Sequence, residues 1–365
     1  MSHPKRVFIL GAGFSKPAGM PLATELLPRI LKSPDFVASD GTPTEMQDWL
    51  KHLSERLDWL NRNDRECDPF NLNIEKVFHY APFDIEAQRL KHHLEPVGQY
   101  NGSETPRDTA ELIEWWLRLL ENALIDLIFE RETQADLRPI MRWAERVNDG
   151  DSVLTFNYDT LVEQGLSGVG KAWNHWIGRN GDSGIPAFKL HGSIDWIVVD
   201  RDREFSNGDL LFDNQNLSRK GHVEDDCRLW RYKEREELGD NLDNRDLQKI
   251  RKKTWSSTVG LAGLGTYKQL HKIPGLGLVW AWGMRSLYEA DHVVIIGFSM
   301  SDFDTMAQMQ FAEVSRARER EERPLKVTVV DPTVNAAMKD RFSRVFTKVD
   351  FVKDRHEEVD WALCD

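Results

Sequence analysis

Cysteine is scarce in this chain of 365 residues, which carries only Cys67, Cys227 and Cys364. No two of them form a C-x-x-C pair, so the sequence contains neither the ligand pattern of a zinc ribbon nor a disulfide framework. Such sparse, scattered cysteines are typical of proteins that work in a reducing compartment, and we expect this protein to be cytoplasmic.

Long hydrophobic runs are also absent. No apolar stretch approaches the roughly 18 residues that a membrane span requires, and the first apolar segment begins too early to leave room for a signal peptide. Basic residues are too few to balance the acidic ones, so the formal net charge is −12. This excess of negative charge disfavours direct binding to nucleic acid or to an anionic membrane.

The most informative stretch that is present lies at the N-terminus. Residues 7–10 are apolar, Gly11-Ala12-Gly13 follows at once, and a helical pattern runs from Leu22 to Leu31. This order predicts a buried strand, a tight turn and a helix, an arrangement that brings backbone N–H groups close to a phosphate. Gly19 lies too far along the chain for the dinucleotide fingerprint G-x-G-x-x-G, so a plain structural turn fits equally well.

The next part of the chain has helical periodicity. Glu45 to Leu60 carries the apolar stripe of an amphipathic helix, and Thr109 to Glu130 is apolar on more than one face. We predict that residues 32–149 form a helical domain inserted into a core made of residues 1–31 and 150–365. Residues 201–253 are rich in charge and are predicted to be a solvated insertion within that core.

Three later apolar segments end in glycine or polar residues, as the first one does: Phe156-Asn157-Tyr158-Asp159, Leu190-His191-Gly192-Ser193 and Ile296-Gly297-Phe298-Ser299. Strands that alternate with helices predict an α/β fold, a Rossmann-like, doubly wound parallel sheet with the inserted helical domain. Because the carboxyl ends of parallel strands share one edge of the sheet, these four ends are expected to converge on one site.

In this order the four strand ends, the first being Gly11-Ala12-Gly13-Phe14-Ser15, resemble the sirtuin-like family. The resemblance is to its prokaryotic branch, which hydrolyses NAD in anti-phage defence, and covers about Val7 to Met20 and Thr155 to Asp331. It implies NAD as the substrate, cleaved to nicotinamide and ADP-ribose. Sirtuins that deacylate proteins carry four zinc-binding cysteines soon after their His-Gly motif. This chain has none there, which disfavours deacylation, and no metal is expected.

The resemblance also implies roles for single residues. Asn157 would lie beside the nicotinamide ribose and position a water, Asp159 would hold the nicotinamide end or shape the site, and His191 would act as general base or bind the ribose. An amide that orients water and an imidazole with an ordinary pKa of about 6.5 suit this chemistry. The implied contacts to the pyrophosphate are Gly11, Ala12, Gly13, Phe14 and Ser15, and those to the adenosine half are Gly297, Ser299 and Asp331.

Each of these residues also has a purely structural interpretation. Asn157, Asp159, Ser15 and Ser299 are all residue types that cap helices or stabilise turns. His191 could be a core histidine at the end of a strand. His175, which lies between Trp173 and Trp176, is interpreted as part of an aromatic surface or a subunit contact.

The biological role that the resemblance implies is abortive infection, in which a toxic effector depletes NAD once a phage is sensed. Such an enzyme is expected to be silent until it assembles or meets a partner, for example a hexameric ATPase or a short Argonaute protein. A homo-oligomer is expected, with the apolar helix Trp115–Ile128 as the candidate assembly surface. Two other hypotheses stay open: a non-catalytic module that senses NAD or ADP-ribose, and an ADP-ribosyl- or acyl-transferring enzyme.

Overall fold

The computed structural model describes residues 5–33, 36, 44–60, 72–94, 106–175, 184–200, 227–231, 258–261 and 276–359. These residues fall into two compact units. We call the first the sheet unit (Met1–Met20, Phe129–Ala262 and Lys268–Asp365) and the second the helical unit (Pro21–Ile128 and Gly263–Tyr267). The predicted domain bounds, at residues 31/32 and 149/150, stay a prediction.

Ten strands are described in the sheet unit. In chain order they are β1 (Arg6–Leu10), β2 (Ser152–Thr155), β3 (Trp173–Asn174), β4 (Ile185–Lys189), β5 (Gly192–Asp200), β6 (Cys227–Arg231), β7 (Thr258–Leu261), β8 (His292–Ile296), β9 (Lys326–Val330) and β10 (Val349–Val352). Seven of them form one sheet in the order β10-β9-β8-β1-β2-β4-β3, and every neighbouring pair is parallel. The predicted fold class, a Rossmann-like α/β sheet, is confirmed.

The helices account for most of the remaining described residues. The helical unit holds α2 (Ala23–Ile30), α3 (Glu45–Leu60) and α4 (Ile74–Leu94), and α5 (Pro106–Thr133) begins there and ends in the sheet unit. The sheet unit holds α1 (Ala12–Ser15), α6 (Arg138–Ala144), α7 (Leu161–Gly168), α8 (Leu276–Glu289), α9 (Thr305–Arg320) and α10 (Ala336–Val345), with 3₁₀ turns at Lys16–Ala18 and Asp302–Asp304. The helices predicted at Glu45–Leu60 and Thr109–Glu130 are therefore confirmed.

The order of the strands reverses next to β1. On one side the sheet continues through β2, β4 and β3, and on the other through β8, β9 and β10. In doubly wound sheets the crevice for a ligand lies at such a reversal, outside the carboxyl ends of the strands. Here the loops that flank the reversal are the glycine turn after β1 and the Gly297-Phe298-Ser299 loop after β8.

The core of the sheet unit explains why its strands are recognisable in the sequence. All five residues of β1 and all five of β8 are buried. Strands of a parallel sheet covered by helices on both faces consist of nearly unbroken apolar residues, as here in Val293 to Ile296. One face of the sheet shares a hydrophobic cluster with α8, α9 and α10, in which Leu287, Phe311 and Phe342 are fully buried.

Three strands form a second, antiparallel sheet in the order β6-β5-β7. The strand β5 pairs with β6 from Trp196 opposite Arg231 to Asp200 opposite Cys227. The segment predicted as a charged insertion therefore contributes a strand. The rest of that segment, 201–226 and 232–253, lies outside the described residues.

The two neighbouring tryptophans of α5 differ in burial. Trp116 is only 7% exposed, and its ring lies 5.5 Å from that of Trp49 on α3. Trp115 is 54% exposed. The expected assembly surface at Trp115 and Trp116 is therefore wrong for Trp116, which belongs to the interior, because neighbouring residues of a helix point about 100° apart.

A buried hydrogen-bonded group connects α3 and α4 in the helical unit. The carboxylate of Asp84 accepts from Trp49 Nε1 at 2.8 Å and from Arg56 Nη1 and Nη2 at 2.5 and 2.8 Å. Burial works to raise the pKa of Asp84, but the hydrogen bonds from Arg56 and Trp49 outweigh it and lower the pKa.

Among the helices of the described ranges, none has the length and apolar content to cross a membrane.

Candidate functional site

The predicted strand ends meet around one aromatic ring. Phe156, directly after β2, stacks on Phe298 of the loop after β8, with ring centroids 4.2 Å apart and planes at 8°. Its ring also meets His191, in the turn between β4 and β5, edge to face at 4.9 Å. The carboxyl ends of three strands thus converge, as the parallel sheet requires.

The side chain of Asn157 joins this cluster to the turn after β1. Its Nδ2 donates to the carbonyl of Gly11 at 3.0 Å and to Oγ of Ser15 at 2.9 Å. A carbonyl only accepts hydrogen bonds, so the amide must present its NH₂ group to Gly11. Both amide hydrogens are engaged in this way, and Oδ1 is the atom of Asn157 that remains able to accept a hydrogen bond from a ligand or water.

Ser15 links Asn157 to Asp159. Its hydroxyl is buried, accepts from Asn157 and also hydrogen-bonds the Asp159 carboxylate. No side-chain cap hydrogen bond is made by Ser15 at the 3₁₀ turn that follows it, so its interpretation as a helix cap is wrong. The sequence predicted Ser15 as a candidate site residue, and the structure brings it together with the two others.

Asp159 is held in place by several partners. Its Oδ1 accepts from the backbone N–H of Leu161 at 3.3 Å, as a turn or cap carboxylate does. Burial raises the pKa of this carboxyl, while the charge of Lys189 and the hydrogen bonds from Ser15 and Leu161 act to lower it. Asp159 therefore stabilises the turn between β2 and α7, and its predicted role at the nicotinamide end of the site stays a prediction.

A buried group of charges supports this part of the site. Lys189 is fully buried, donates to the carbonyl of Asp159 and lies 3.2 Å from Oε1 of Glu163. His175 lies 3.3 Å from the same oxygen through Nε2, and its Nδ1 is 2.9 Å from the carbonyl of Ala187. The interpretation of His175 as part of a surface is wrong, because these polar partners hold it in the interior.

The glycine turn packs closely against the loop after β8. The backbone N–H of Gly11 donates to Ile296 at 3.1 Å, and that of Gly13 donates to Gly297 at 2.9 Å. A Cβ on Gly11 would lie 2.6 Å from Cα of Phe298, and one on Gly13 would lie 2.7 Å from Cα of Gly297. These glycines are therefore required by the packing of the two loops, and the predicted cradle for a pyrophosphate at Gly11 to Ser15 stays a prediction.

Phe14 differs from the other residues of the turn. Its backbone N–H donates to Gly11 at 2.9 Å, and its side chain is fully buried against Trp143, with ring centroids 4.8 Å apart. The ring of His356 lies 5.0 Å away. The side chain of Phe14 therefore belongs to the core, whereas Ala12 and Gly13 of the same turn are half-buried.

The predicted contacts for the adenosine half follow β8 and β9, which are neighbours in the sheet. Ser299 is exposed, and its carbonyl accepts from Arg341 Nε at 3.1 Å. Asp331 is buried, and its Oδ1 accepts from the N–H and hydroxyl of Thr333 at 2.7 and 2.5 Å. The cap of the 3₁₀ turn is Ser301, whose hydroxyl accepts from Phe303, so a capping role for Ser299 is wrong.

The backbone of this loop turns sharply. Gly297 has φ of +59°, and Met300, which is fully buried, has φ of +51°. A side chain other than glycine in the left-handed region is uncommon, and such conformations cluster at functional sites. The bend directs the chain from β8 into the 3₁₀ turn at Asp302–Asp304.

That bend places a residue beside His191 that sequence reasoning missed. Oδ1 of Asp304 lies 3.4 Å from Nε2 of His191, and both side chains are 7% exposed. The ring of Tyr158 lies 5.9 Å from that of His191. Asp304 stands at the start of a helix, where an acidic residue is typical of a cap, so the sequence contains no signal of its pairing with a histidine 113 positions earlier.

Comparisons with known proteins leave the family open. No protein-family model matches the chain, and no curated protein matches it. A solved structure described as "Structural Basis for the Mechanism and Regulation of Sir2 Enzymes" is similar at 12% identity and a TM-score of 0.37, covering 98% of this chain and 89% of that one. A likeness this low assigns no function.

The chemistry of the site follows from its residue types. It offers a fixed amide with an accepting oxygen, an imidazole paired with a carboxylate, and a buried carboxyl group. Within the described ranges no group of three or more histidine, cysteine, aspartate or glutamate side chains is arranged to hold a metal ion. The side chains present can orient a polar substrate or water and can accept a proton.

Proposed function

We propose that this protein is an NAD glycohydrolase that cleaves NAD to nicotinamide and ADP-ribose. The observation that carries the proposal is the placement of Asn157 and His191 after neighbouring strands, β2 and β4, at the carboxyl edge of the sheet. Phe156, the residue before Asn157, packs against the ring of His191, and both site residues have buried partners.

The reaction requires little beyond orientation. The bond between nicotinamide and ribose breaks through a transition state with oxocarbenium character, so an aligned water and a sheltered site lower the barrier. Oδ1 of Asn157 would accept one hydrogen of that water, and His191 would take up the proton that the water loses. The pyrophosphate of NAD would be bound by the Gly11–Ser15 turn. The adenosine half would be bound by Gly297, Ser299 and Asp331.

The biological role we propose rests on the sequence resemblance. The protein would act as an effector of anti-phage defence that depletes NAD, switched on by self-assembly or by a separate partner such as a hexameric ATPase or a short Argonaute protein. Exposed Trp115 on α5 supports an assembly surface in the helical unit. The protein would bind NAD as its substrate, would need no metal and would act in the cytoplasm.

The test is to incubate the purified full chain with NAD, alone and with its genomic neighbours, and to quantify nicotinamide and ADP-ribose. We expect equimolar release of both products and its loss in His191→Ala. A control variant, His52→Ala, removes a histidine whose side chain is 71% exposed on α3, and should leave turnover unchanged.

Other outcomes would identify the competing functions. Binding of NAD without product under every condition would indicate a sensing module and overturn the hydrolase. Nicotinamide release with ADP-ribose recovered on protein, rather than free, would indicate ADP-ribosyl transfer. O-acyl-ADP-ribose as product would indicate an acyl-transferring enzyme.

A further inference from the structure

We propose that Asp304 is a positioning residue for His191: its buried carboxylate lies beside Nε2 of the imidazole and stabilises the ring when it takes up a proton. This inference deepens the proposed function and rests on it for its meaning in turnover. The contact itself concerns two side chains of the sheet unit and can be measured without any substrate.

The contact between Asp304 and His191 has the distance of an ion pair. Oδ1 of Asp304 lies 3.4 Å from Nε2 of His191, and the imidazole carries a positive charge once it is protonated. When the ring takes up a second proton, the nearby negative charge stabilises the imidazolium that results.

Burial strengthens the interaction between Asp304 and His191. Both side chains are 7% exposed, so water screens their interaction far less than it would at the surface. The ring of His191 is also fixed from two sides. Phe156 meets it edge to face at 4.9 Å, and Tyr158 lies at 5.9 Å and is, with Asp304, a titratable group that faces it.

The carboxylate of Asp304 does not cap the helix that it precedes. Asp304 is the N-cap residue of α9, a position at which aspartate usually accepts a hydrogen bond from the backbone of the first turn. Its carboxylate makes no such bond. The 3₁₀ turn Asp302–Asp304 is instead capped by Ser301, and the N–H of Asp304 donates to the carbonyl of Ser301 at 2.9 Å. The turn therefore places the carboxylate beside His191.

The test compares Asp304→Asn with the wild-type full chain by NMR titration of histidine ring signals. The signal of His191 among the eleven histidines is assigned from its disappearance in His191→Gln. Removing the carboxylate should lower the pKa of His191 by about one unit or more. Asp302→Asn is the matched control, because Asp302 is exposed in the same turn and should leave that titration unchanged.

The same variants are then assayed for NAD hydrolysis. Asp304→Asn should lower kcat about tenfold or more, since asparagine no longer stabilises the protonated imidazole, and should move the acid limb of the pH profile to lower pH. The KM for NAD should stay nearly constant. Asp304→Glu should restore part of kcat, because it restores the charge. A purely structural role for Asp304 would not move the acid limb.

The outcomes separate this inference from the proposed function. If the wild-type chain hydrolyses no NAD under any condition, the proposed function fails, while the NMR titration still tests the pair. An unchanged titration of His191 in folded Asp304→Asn overturns the inference, and so does an unchanged kcat beside an active wild type. If Asp304→Asn does not fold, Asp304→Glu and Asp304→Ser provide the same comparison.

Discussion

Asn157 donates one amide hydrogen to Oγ of Ser15 at 2.9 Å and the other to the carbonyl of Gly11 at 3.0 Å. The end of β2 is therefore joined to the turn after β1 across neighbouring strands. Because both bonds are made within the protein, they fix the orientation of the accepting oxygen of the amide. An orientation that is fixed during folding costs no further free energy during the reaction.

The first prediction concerns this amide. Asn157→Ala should lower nicotinamide release from NAD by about 100-fold or more, because the water loses the group that orients it. It should also cost about 1–2 kcal/mol of the free energy of unfolding, since Ser15 and Gly11 lose a donor. Product chromatography and urea denaturation measure the two effects.

Ser15→Ala is the control that separates the two effects in Asn157→Ala. It removes one partner of the amide but leaves the amide and its bond to Gly11 in place, so it should show a comparable loss of stability and a smaller loss of turnover than Asn157→Ala. Full turnover by folded Asn157→Ala would remove this residue from the mechanism.

The second prediction concerns the contact between the two glycine loops. Gly297 has φ of +59°, and a Cβ there would lie 2.2 Å from the backbone nitrogen of Phe14. Gly170 also has a positive φ, +73°, but a Cβ there would meet nothing within 4 Å. Both Gly297→Ala and Gly170→Ala incur backbone strain, and only the first adds a clash with backbone that cannot move aside.

Gly297→Ala should therefore be destabilised by at least about 2 kcal/mol more than Gly170→Ala, as read from urea denaturation. Equal losses in the two variants would contradict the close packing of the loops. Loss of NAD binding in Gly297→Ala is expected as well, since the same loop carries Ser299.

The third prediction concerns pH and stability. Burial lowers the pKa of His356, which packs against Phe14, from 6.5 to about 4. The unfolded chain therefore binds a proton more readily than the folded chain does. The part of the free energy of unfolding that depends on a neutral His356 is fully present above about pH 6.5. It is lost as the pH falls from there toward about 4.

The loss at about pH 5 should be about 2 kcal/mol, measured as the free energy of unfolding in urea against a pH 7 reference. His356→Gln cannot take up this proton, so this component of the pH dependence should vanish in that variant. His52→Gln, at an exposed histidine, should keep it. An identical pH dependence in His356→Gln and the wild type would show that His356 is not the group responsible.

The fourth prediction concerns assembly. Trp115→Glu should lower the oligomeric mass measured by light scattering, because it places a charge on an apolar side chain that is 54% exposed. Met309→Glu, at another exposed apolar residue, is the matched control and should leave the mass unchanged. A mass that is unaltered by Trp115→Glu would exclude this part of α5 as an assembly surface.

Much of the fold could be predicted because its signals are local. Residues 7–10 and 293–296 are continuous apolar runs because they belong to β1 and β8, two central strands of a parallel sheet. The strand β10 was not predicted. Its residues Val349–Val352 alternate and are exposed or half-buried at the edge of the sheet, so they lack the apolar run that marks a central strand.

The sequence by itself determined the α/β class, the strand ends that carry Asn157, Asp159 and His191, and the glycines that let two loops touch, because these depend on residue types next to each other in the chain. Only the tertiary structure decided which partners these side chains meet. Asp304 reaches His191, Ser15 joins Asn157 to Asp159, and Trp116 turns inward while Trp115 does not. Such pairings join residues far apart in sequence, and they are set by strand order and helix rotation, which local patterns do not encode.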